Sequence, residues 1–408
     1  MESGQLTSPP LVRRLTLVHA ILYGVGVTIG AGIYVLVGVA AGRSGAYAPL
    51  GFLAAALAMG PTAASFAELG TRMPVSASEA AYVQAAFQRR WLSLLMGLVV
   101  VATAMVSAAT ISAGSVSYIG VFLPLPIPLL ILAVVLLMGG VASLATTQSI
   151  AFAGIMTLIE VGGLVLIVAA GLTNGPEILQ RLPEMLPSAD TNAWVSVGGT
   201  TMIAVFAFIG FEHIVNIAEE LKEPSRTLPR ALFLTLGITA FLYMLVVWIS
   251  VTAVPPSELA RSPAPLALVF ERLTGMPLIT MSVIAIVATL NGIVVHMIMI
   301  ARVLYGLANQ GNLPAVLARV NPTTRTPLAA TFAGVAAILV LTLWVPLEGL
   351  ADLAARGTLA VFAGVNLALI VIRGRRLPAP EGIFKCPLWV AYSGLIASVL
   401  LLVLGWLS

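Results

Sequence analysis

Charge is what this chain has least of. Of its 408 residues, 20 are Lys or Arg and 16 are Asp or Glu, so only 9% are charged. Hydrophobic residues make up 60% and the mean hydropathy is +1.06, a balance that excludes a soluble globular protein. The apolar runs are continuous rather than alternating, which excludes a β-barrel. The single cysteine, Cys386, excludes an internal disulfide and a cysteine metal cluster. There is no Gly-x-x-x-x-Gly-Lys-Ser/Thr loop, so an ATP-driven pump is not expected. Glu212-His213 has no second ligand at zinc-peptidase spacing, and Ser282 and His296 are far apart on one span. No enzyme, cofactor or metal site is therefore expected. The stretch Met1 to Arg14 is short and polar, and the run after it is too long for a cleaved signal peptide. The pI of about 9.5 comes from cations spread over short loops, so no nucleic-acid partner is expected.

What is present is a succession of apolar runs long enough to cross a bilayer, for which roughly 20 residues suffice. Eleven spans are expected, at about 15–41, 47–70, 91–121, 128–146, 150–172, 194–217, 229–254, 277–306, 327–345, 350–372 and 387–407. With the N-terminus inside, fifteen of the twenty Lys and Arg residues fall at cytoplasmic ends or loops. That bias supports a multi-pass protein with a cytoplasmic N-terminus. Short surface helices are expected in the two long outer loops, 173–192 and 254–276, and another at Leu313 to Val320.

Two spans carry an unfavourable centre. The first contains Gly24, Gly26, Gly30 and Gly32, each costing a helix about 1 kcal/mol relative to alanine. Two readings stand side by side: close packing through small residues, or a break whose freed amides and carbonyls bind a ligand. The sixth span places Phe206-Ala207-Phe208-Ile209-Gly210-Phe211-Glu212 at its middle, with a carboxyl that costs about 2.5–3.5 kcal/mol to insert. The two spans lie five apart and so run in opposite directions. Interrupted helices at matching places of two five-helix halves point to an inverted-repeat transporter. The expected organisation is a cytoplasmic N-terminus over 1–14, five-helix repeats over 15–172 and 193–372, and an additional C-terminal helix over 373–408.

The motifs also resemble a known family. Ile29-Gly30-Ala31-Gly32-Ile33-Tyr34 resembles the carboxylate-binding break of the amino acid–polyamine–organocation family. Four further stretches resemble the same family in order. They are Ser65-Phe66-Ala67-Glu68-Leu69 with Met73-Pro74-Val75-Ser76; Phe206 to Glu212 with Ala218 to Arg230; Ala301 to Ala308 with Gly311-Asn312-Leu313-Pro314; and Gly357-Thr358-Leu359. The resemblance covers helices 1 to 10. It implies an all-α polytopic, leucine-transporter-like fold of five-plus-five inverted repeats with about 11 helices, one fewer than the family usually has. It implies secondary transport of amino acids or related amines across the plasma membrane, with the bilayer and that substrate as partners. The sequence carries no sign of an oligomeric state.

The same resemblance implies a substrate carboxylate at the amides of Ala31, Gly32 and Ile33, and an ammonium near the carbonyls of Thr28, Phe206 and Ile209. Glu212 and His296 match pathway positions of a related exchanger, whereas His19 and His213 are expected away from substrate, His213 on a different face from Glu212. Thr103, Ser107, Thr110, Gly114 and Ser117 share one face of the third span, as a packing seam or a wall of the route. Glu160 departs from the family: several relatives have a lysine there, in the place of a sodium ion. A glutamate donates a hydrogen bond only when protonated. Proton coupling through Glu160, donating to a first-span carbonyl freed by the break, is therefore expected, with sodium-independent transport. The alternative is obligate exchange without proton coupling.

Overall fold

The computed structural model describes residues 13–75, 78–144, 150–175, 178–187, 191–309 and 311–407. The expected N-terminal segment falls largely outside these, as does Ser76 of the loop motif. Fourteen α-helices follow in order: α1 (Leu17–Ser44), α2 (Ala48–Arg72), α3 (Ser78–Phe87), α4 (Arg90–Ile119), α5 (Ile127–Leu144), α6 (Ile150–Asn174), α7 (Thr191–Phe208), α8 (Pro224–Ala253), α9 (Pro256–Arg261), α10 (Pro265–Thr274), α11 (Leu278–Asn309), α12 (Leu328–Trp344), α13 (Leu347–Gly374) and α14 (Leu388–Leu407). Proline at the first turn starts α2, α8, α9 and α10, where its missing N–H costs nothing. Among the described residues the only β-type pairing is one bridge, Leu15 with Leu221.

Each of the eleven expected spans contains a long helix. Nine helical stretches are long and apolar enough to cross a membrane among the described residues; one of them, Gly32–Arg72, joins the second half of α1 to α2. The 17-residue Leu328–Trp344 is a shorter apolar helix. The expected outer-loop helices are the 3-10 segment Leu179–Met185 and helices α9 and α10, with Leu259, Leu266 and Phe270 buried against the bundle. At Leu313 to Val320 the chain forms only the 3-10 turn Ala315–Ala318. Helix α3 was not expected. It is too short and too little apolar for hydropathy to reveal, yet Tyr82, Val83 and Ala86 are buried.

Burial separates a core from a lipid-facing shell. Leu57, Leu137, Trp389 and Ile396 are more than 60% exposed, which only a hydrocarbon surround makes favourable. Lipid tails are as apolar as leucine, so these helices are held by close packing and internal polar contacts instead. Helix α1 sits in the middle, packed on α6, α7, α8 and α11. Helix α2 packs on α8, α4 on α11, and α5 on α12.

The first span corrects an expectation. It has no break: α1 is one continuous helix from Leu17 to Ser44. Its glycines serve close approach. A Cβ at Gly32 would stand 2.2 Å from the Ala207 Cα, and one at Gly26 would stand 2.0 Å from the Thr157 hydroxyl. The sixth span does break. Helix α7 ends at Phe208, Gly210 takes φ +125°, and a 3-10 segment runs from Phe211 to Glu220. The ends of these two spans are tied together, since the Leu15 amide donates to Glu220 O and the Lys222 amide to Leu15 O.

Gly210 sits where a side chain is strained and has no room, because a Cβ would lie 2.9 Å from the Val27 carbonyl carbon. Gly210→Ala is expected to cost about 1–3 kcal/mol. Thermal melting of the purified protein checks this, and an unchanged midpoint would show that the turn relaxes.

Candidate functional site

The broken sixth span positions the site. Where α7 stops, the Phe206 carbonyl accepts from the Ile209 amide, and the Gly210 carbonyl from the His213 amide. The Gly210 amide donates to the Glu212 carboxylate at 2.9 Å, so Glu212 fixes the turn that it belongs to. Glu212 thereby satisfies a backbone donor that the break would leave exposed to apolar surroundings. It is 5% exposed.

A cavity of about 30 Å³ opens beside this turn. Ile209, Glu212 and His213 come from the broken span, and Thr103 and Ser107 from α4. His296 and Met299 of α11 and Thr358 and Phe362 of α13 complete the walls, with Glu79 of α3 among them. The space holds a water-sized group and is far below the roughly 300–1,000 Å³ of small-molecule pockets. In this conformation the space is too small for an amino acid.

The polar groups have defined partners on one side only. His296 Nδ1 lies 2.9 Å from the Gly292 carbonyl. A carbonyl only accepts, so Nδ1 carries a proton, and Nε2 is an acceptor when the ring is neutral and a donor when it is protonated. The His213 and His296 rings meet edge to face with centroids 5.9 Å apart, and His213 Nε2 is 3.9 Å from Glu212 Oε1. Ser107 Oγ is buried and has no hydrogen-bond partner among the described residues. Burial holds the Glu79 carboxyl above its ordinary value of 4.5.

Three of the residues expected at the substrate, Ile209, Glu212 and His296, line this cavity. Thr28, Gly32, Ile33 and Phe206 lie outside it, buried on α1 and α7, which approach closely at Gly32 and Ala207. Thr28 Oγ1 donates to Gly24 O at 2.7 Å, and the Thr28 carbonyl accepts from the Tyr243 hydroxyl at 2.9 Å. That hydroxyl also lies 3.0 Å from the Ala207 carbonyl, so one proton is shared between α1 and α7. Ala31 lies within α1. In a continuous helix the amides of Ala31, Gly32 and Ile33 point at carbonyls one turn back. They are not free donors here.

Glu160 is elsewhere again, fully buried on α6. Its Oε1 accepts from Asn291 Nδ2 of α11 at 3.0 Å, and its backbone carbonyl accepts from the Tyr34 hydroxyl of α1 at 2.6 Å. The expected donation to a freed carbonyl of the first span is not made. An unbroken α1 frees no carbonyl, and Asn291 takes that place. Glu160 Oε2 has no partner among the described residues.

Two ionisable lining residues, His213 and Glu79, were not expected at the site. His213 was placed on a different face from Glu212 by α-helical periodicity, but the chain there is a 3-10 turn and both side chains reach the cavity. Glu79 stands on the short helix that hydropathy passes over. Of the third-span stripe only Thr103 and Ser107 reach the cavity; Gly114 packs against Val35, where a Cβ would come within 2.3 Å.

A sequence model for "amino acid permease" matches residues 15–408. The chain is 28% identical to the branched-chain amino acid permease BcaP of Bacillus subtilis, over 98% of this chain and 89% of that protein. It is 29% identical to the vacuolar cationic amino acid transporter 2 of Arabidopsis thaliana, over 91% of this chain and 61% of that protein. It is 26% identical to the methylthioribose transporter of Bacillus subtilis, over 94% of this chain and 86% of that protein.

Asn291 is the described partner of a carboxyl at zero exposure. Asn291→Leu is expected to lower stability by about 1–3 kcal/mol, the cost of an unpaired buried polar group. The double variant Glu160→Met, Asn291→Leu should lose clearly less than the two single losses combined. Additive losses in thermal melting would show that the two side chains are not coupled.

Proposed function

The chain belongs to the amino acid permease family of amino acid–polyamine–organocation transporters, and from that premise we propose that it carries amino acids across the cell membrane by secondary transport. It is a multi-pass membrane transporter, not an enzyme. The observation that carries the reading is the cavity at the Gly210 break, where a polar turn, two histidines and two carboxyl groups meet inside an apolar bundle. Buried ionisable groups in a membrane protein mark a substrate or ion route.

The proposed architecture is a pair of inverted five-helix repeats, 15–172 and 193–372, with the N-terminus in the cytoplasm and α14 outside the repeats. Packing supports it. Four of the five first-half helices contact their counterparts five spans later: α1 with α7, α2 with α8, α4 with α11, α5 with α12. The Lys and Arg bias supports the orientation.

In the proposed cycle α1 opens between Thr28 and Ile33 when substrate binds. The amides of Ala31, Gly32 and Ile33 then hold its carboxylate, and carbonyls of Thr28, Phe206 and Ile209 hold its ammonium. Glu212 and His296 face the rest of it. The glycines that let α1 pack so closely also make that opening inexpensive. Gly32→Leu is expected to abolish uptake while the protein still inserts; wild-type uptake would overturn the assignment.

Coupling is proposed to run through Glu160. Protonated, it can donate; ionised, it only accepts, so the α1–α6–α11 junction has two arrangements biased by one proton. Sodium is not proposed as the driver, because Leu290 to Val295 has no adjacent hydroxyl pair to coordinate it. Uptake of amino acids into proteoliposomes at matched membrane potential is expected to be sodium-independent and faster with an inward proton gradient. Glu160→Gln should weaken the pH dependence and retain exchange. Equal rates with and without the gradient would leave obligate exchange as the mechanism.

A further inference from the structure

We propose that a furrow on the lipid-facing side of α2, between α8 and the lead-in to α14, holds one anionic phospholipid of the leaflet at the Leu15 end of the bundle. In the orientation proposed above that is the cytoplasmic leaflet. The site shares no residue with the cavity at the Gly210 break and does not depend on which solute is carried.

Two contacts set α2 and α8 side by side and antiparallel. The Phe52 and Tyr243 rings meet with centroids 5.9 Å apart, and toward the other end a Cβ on Gly70 would stand 2.6 Å from the Leu228 side chain. Eight residues on from Phe52 and ten back from Gly70, Gly60 lies level with residues 235–238 of α8, Gly237 among them. A Cβ on either glycine would meet nothing within 4 Å, so both backbones border open space. Their apolar neighbours Leu57 and Phe241 are 68% and 60% exposed, which places this surface against hydrocarbon. Where larger residues would form a ridge, the two glycines leave a furrow.

An aromatic pair bridges the furrow at its Leu15 end. Phe233 of α8 meets Phe384 of the α14 lead-in with centroids 5.9 Å apart, and the Cys386 amide donates to Glu68 of α2, so the lead-in lies across the end of α2. Cations flank the bridge. Arg230 stands three residues before Phe233 on the same face of α8, and Lys385 follows Phe384 in the chain. Both are exposed, and neither forms an ion pair among the described residues. Glu223, just before α8, is paired with Arg226 at 3.8 Å, and Glu381 is the one acid of the lead-in, which follows Arg375 and Arg376. Two cations without counter-ions at the mouth of an apolar furrow complement a molecule that joins an anionic head to a hydrocarbon chain. A zwitterionic headgroup carries a cation of its own and gains less there. A soluble anion would meet the cations and leave the furrow unused.

The test uses the full-length protein, purified in detergent. The probes are phosphatidylglycerol and phosphatidylcholine of identical acyl chains, and soluble glycerophosphoglycerol. Lipid retention is read by native mass spectrometry and stabilisation by thermal shift. Phosphatidylglycerol is expected to be retained at about tenfold or more the level of phosphatidylcholine, since each basic residue at a membrane surface adds attraction for an anionic lipid. Arg230→Gln together with Lys385→Gln should bring that ratio close to one. Gly237→Leu places a side chain in open space, so the fold persists, and it should displace phosphatidylglycerol although no charge has changed. If the charge variant fails to fold, Gly237→Leu carries the test. Equal retention of the two lipids by the parent protein overturns the proposal, as does undiminished phosphatidylglycerol retention in either folded variant. A thermal shift from glycerophosphoglycerol as large as that from the lipid also overturns it, because the furrow would then contribute nothing. Retention is measured without transport, so failure of the transport reading leaves this result unaffected.

Discussion

The closeness of two backbones, α1 at Gly32 and α7 at Ala207, is the constraint on which the bundle depends. No side chain separates them. In water such a contact would be assisted by the hydrophobic effect; in lipid it rests on dispersion between surfaces that fit. The Tyr243 hydroxyl of α8 reaches into the same crossing and lies within hydrogen-bond distance of both the Thr28 and Ala207 carbonyls. Three helices are thus registered at one point. One turn below it the sixth span breaks, and the Gly210 turn is pressed against Val27 and Thr28. The cavity exists because that break is held open at a fixed height along α1.

Two polar networks elsewhere in the bundle are paired as the low dielectric demands. Glu68 of α2 is fully buried and accepts from Arg72 at 2.8 and 3.0 Å, from Arg373 of α13 at 3.3 Å and from the Cys386 amide at 3.0 Å. Arg373 also donates to the Cys386 carbonyl. Asn366 of α13 donates to Thr62 and accepts from Ser65 of α2. These contacts fasten α14 and its lead-in to α2 and α13, so the last helix is part of the scaffold. At the opposite end Arg43 joins Asp352 at 3.1 Å and the Gly199 carbonyl at 3.2 Å, linking α1, α13 and α7. Ser107 Oγ and Glu160 Oε2 are among the buried side-chain atoms that have no hydrogen-bond partner among the described residues, with Ser115 Oγ, Thr235 Oγ1 and Thr239 Oγ1.

The sequence determined the spans, because about 20 apolar residues in a row admit one solution in a bilayer. It also pointed to the break at Gly210, since a glycine and a carboxyl in mid-span both weaken a helix there, although Glu160 beside Gly162 in the unbroken α6 shows that the same pairing can stay helical. Composition fixed the class, and five ordered motifs fixed the family. What the first span would do was not legible: Gly24, Gly26, Gly30 and Gly32 suit a break and a close contact equally, and only the neighbours that crowd them, Thr157, Ala207 and Ala288 among others, decide for contact in this conformation. Likewise His213 and Glu79 join the cavity through a 3-10 turn and a short loop helix, local geometries that carry no periodic signal. Asn291 became the partner of Glu160 because α11 passes beside α6, a pairing across 131 positions that no local pattern encodes. Local sequence sets which segments are helical and where they fail; which residues then face one another is set by packing between helices, and that alone assembled the site.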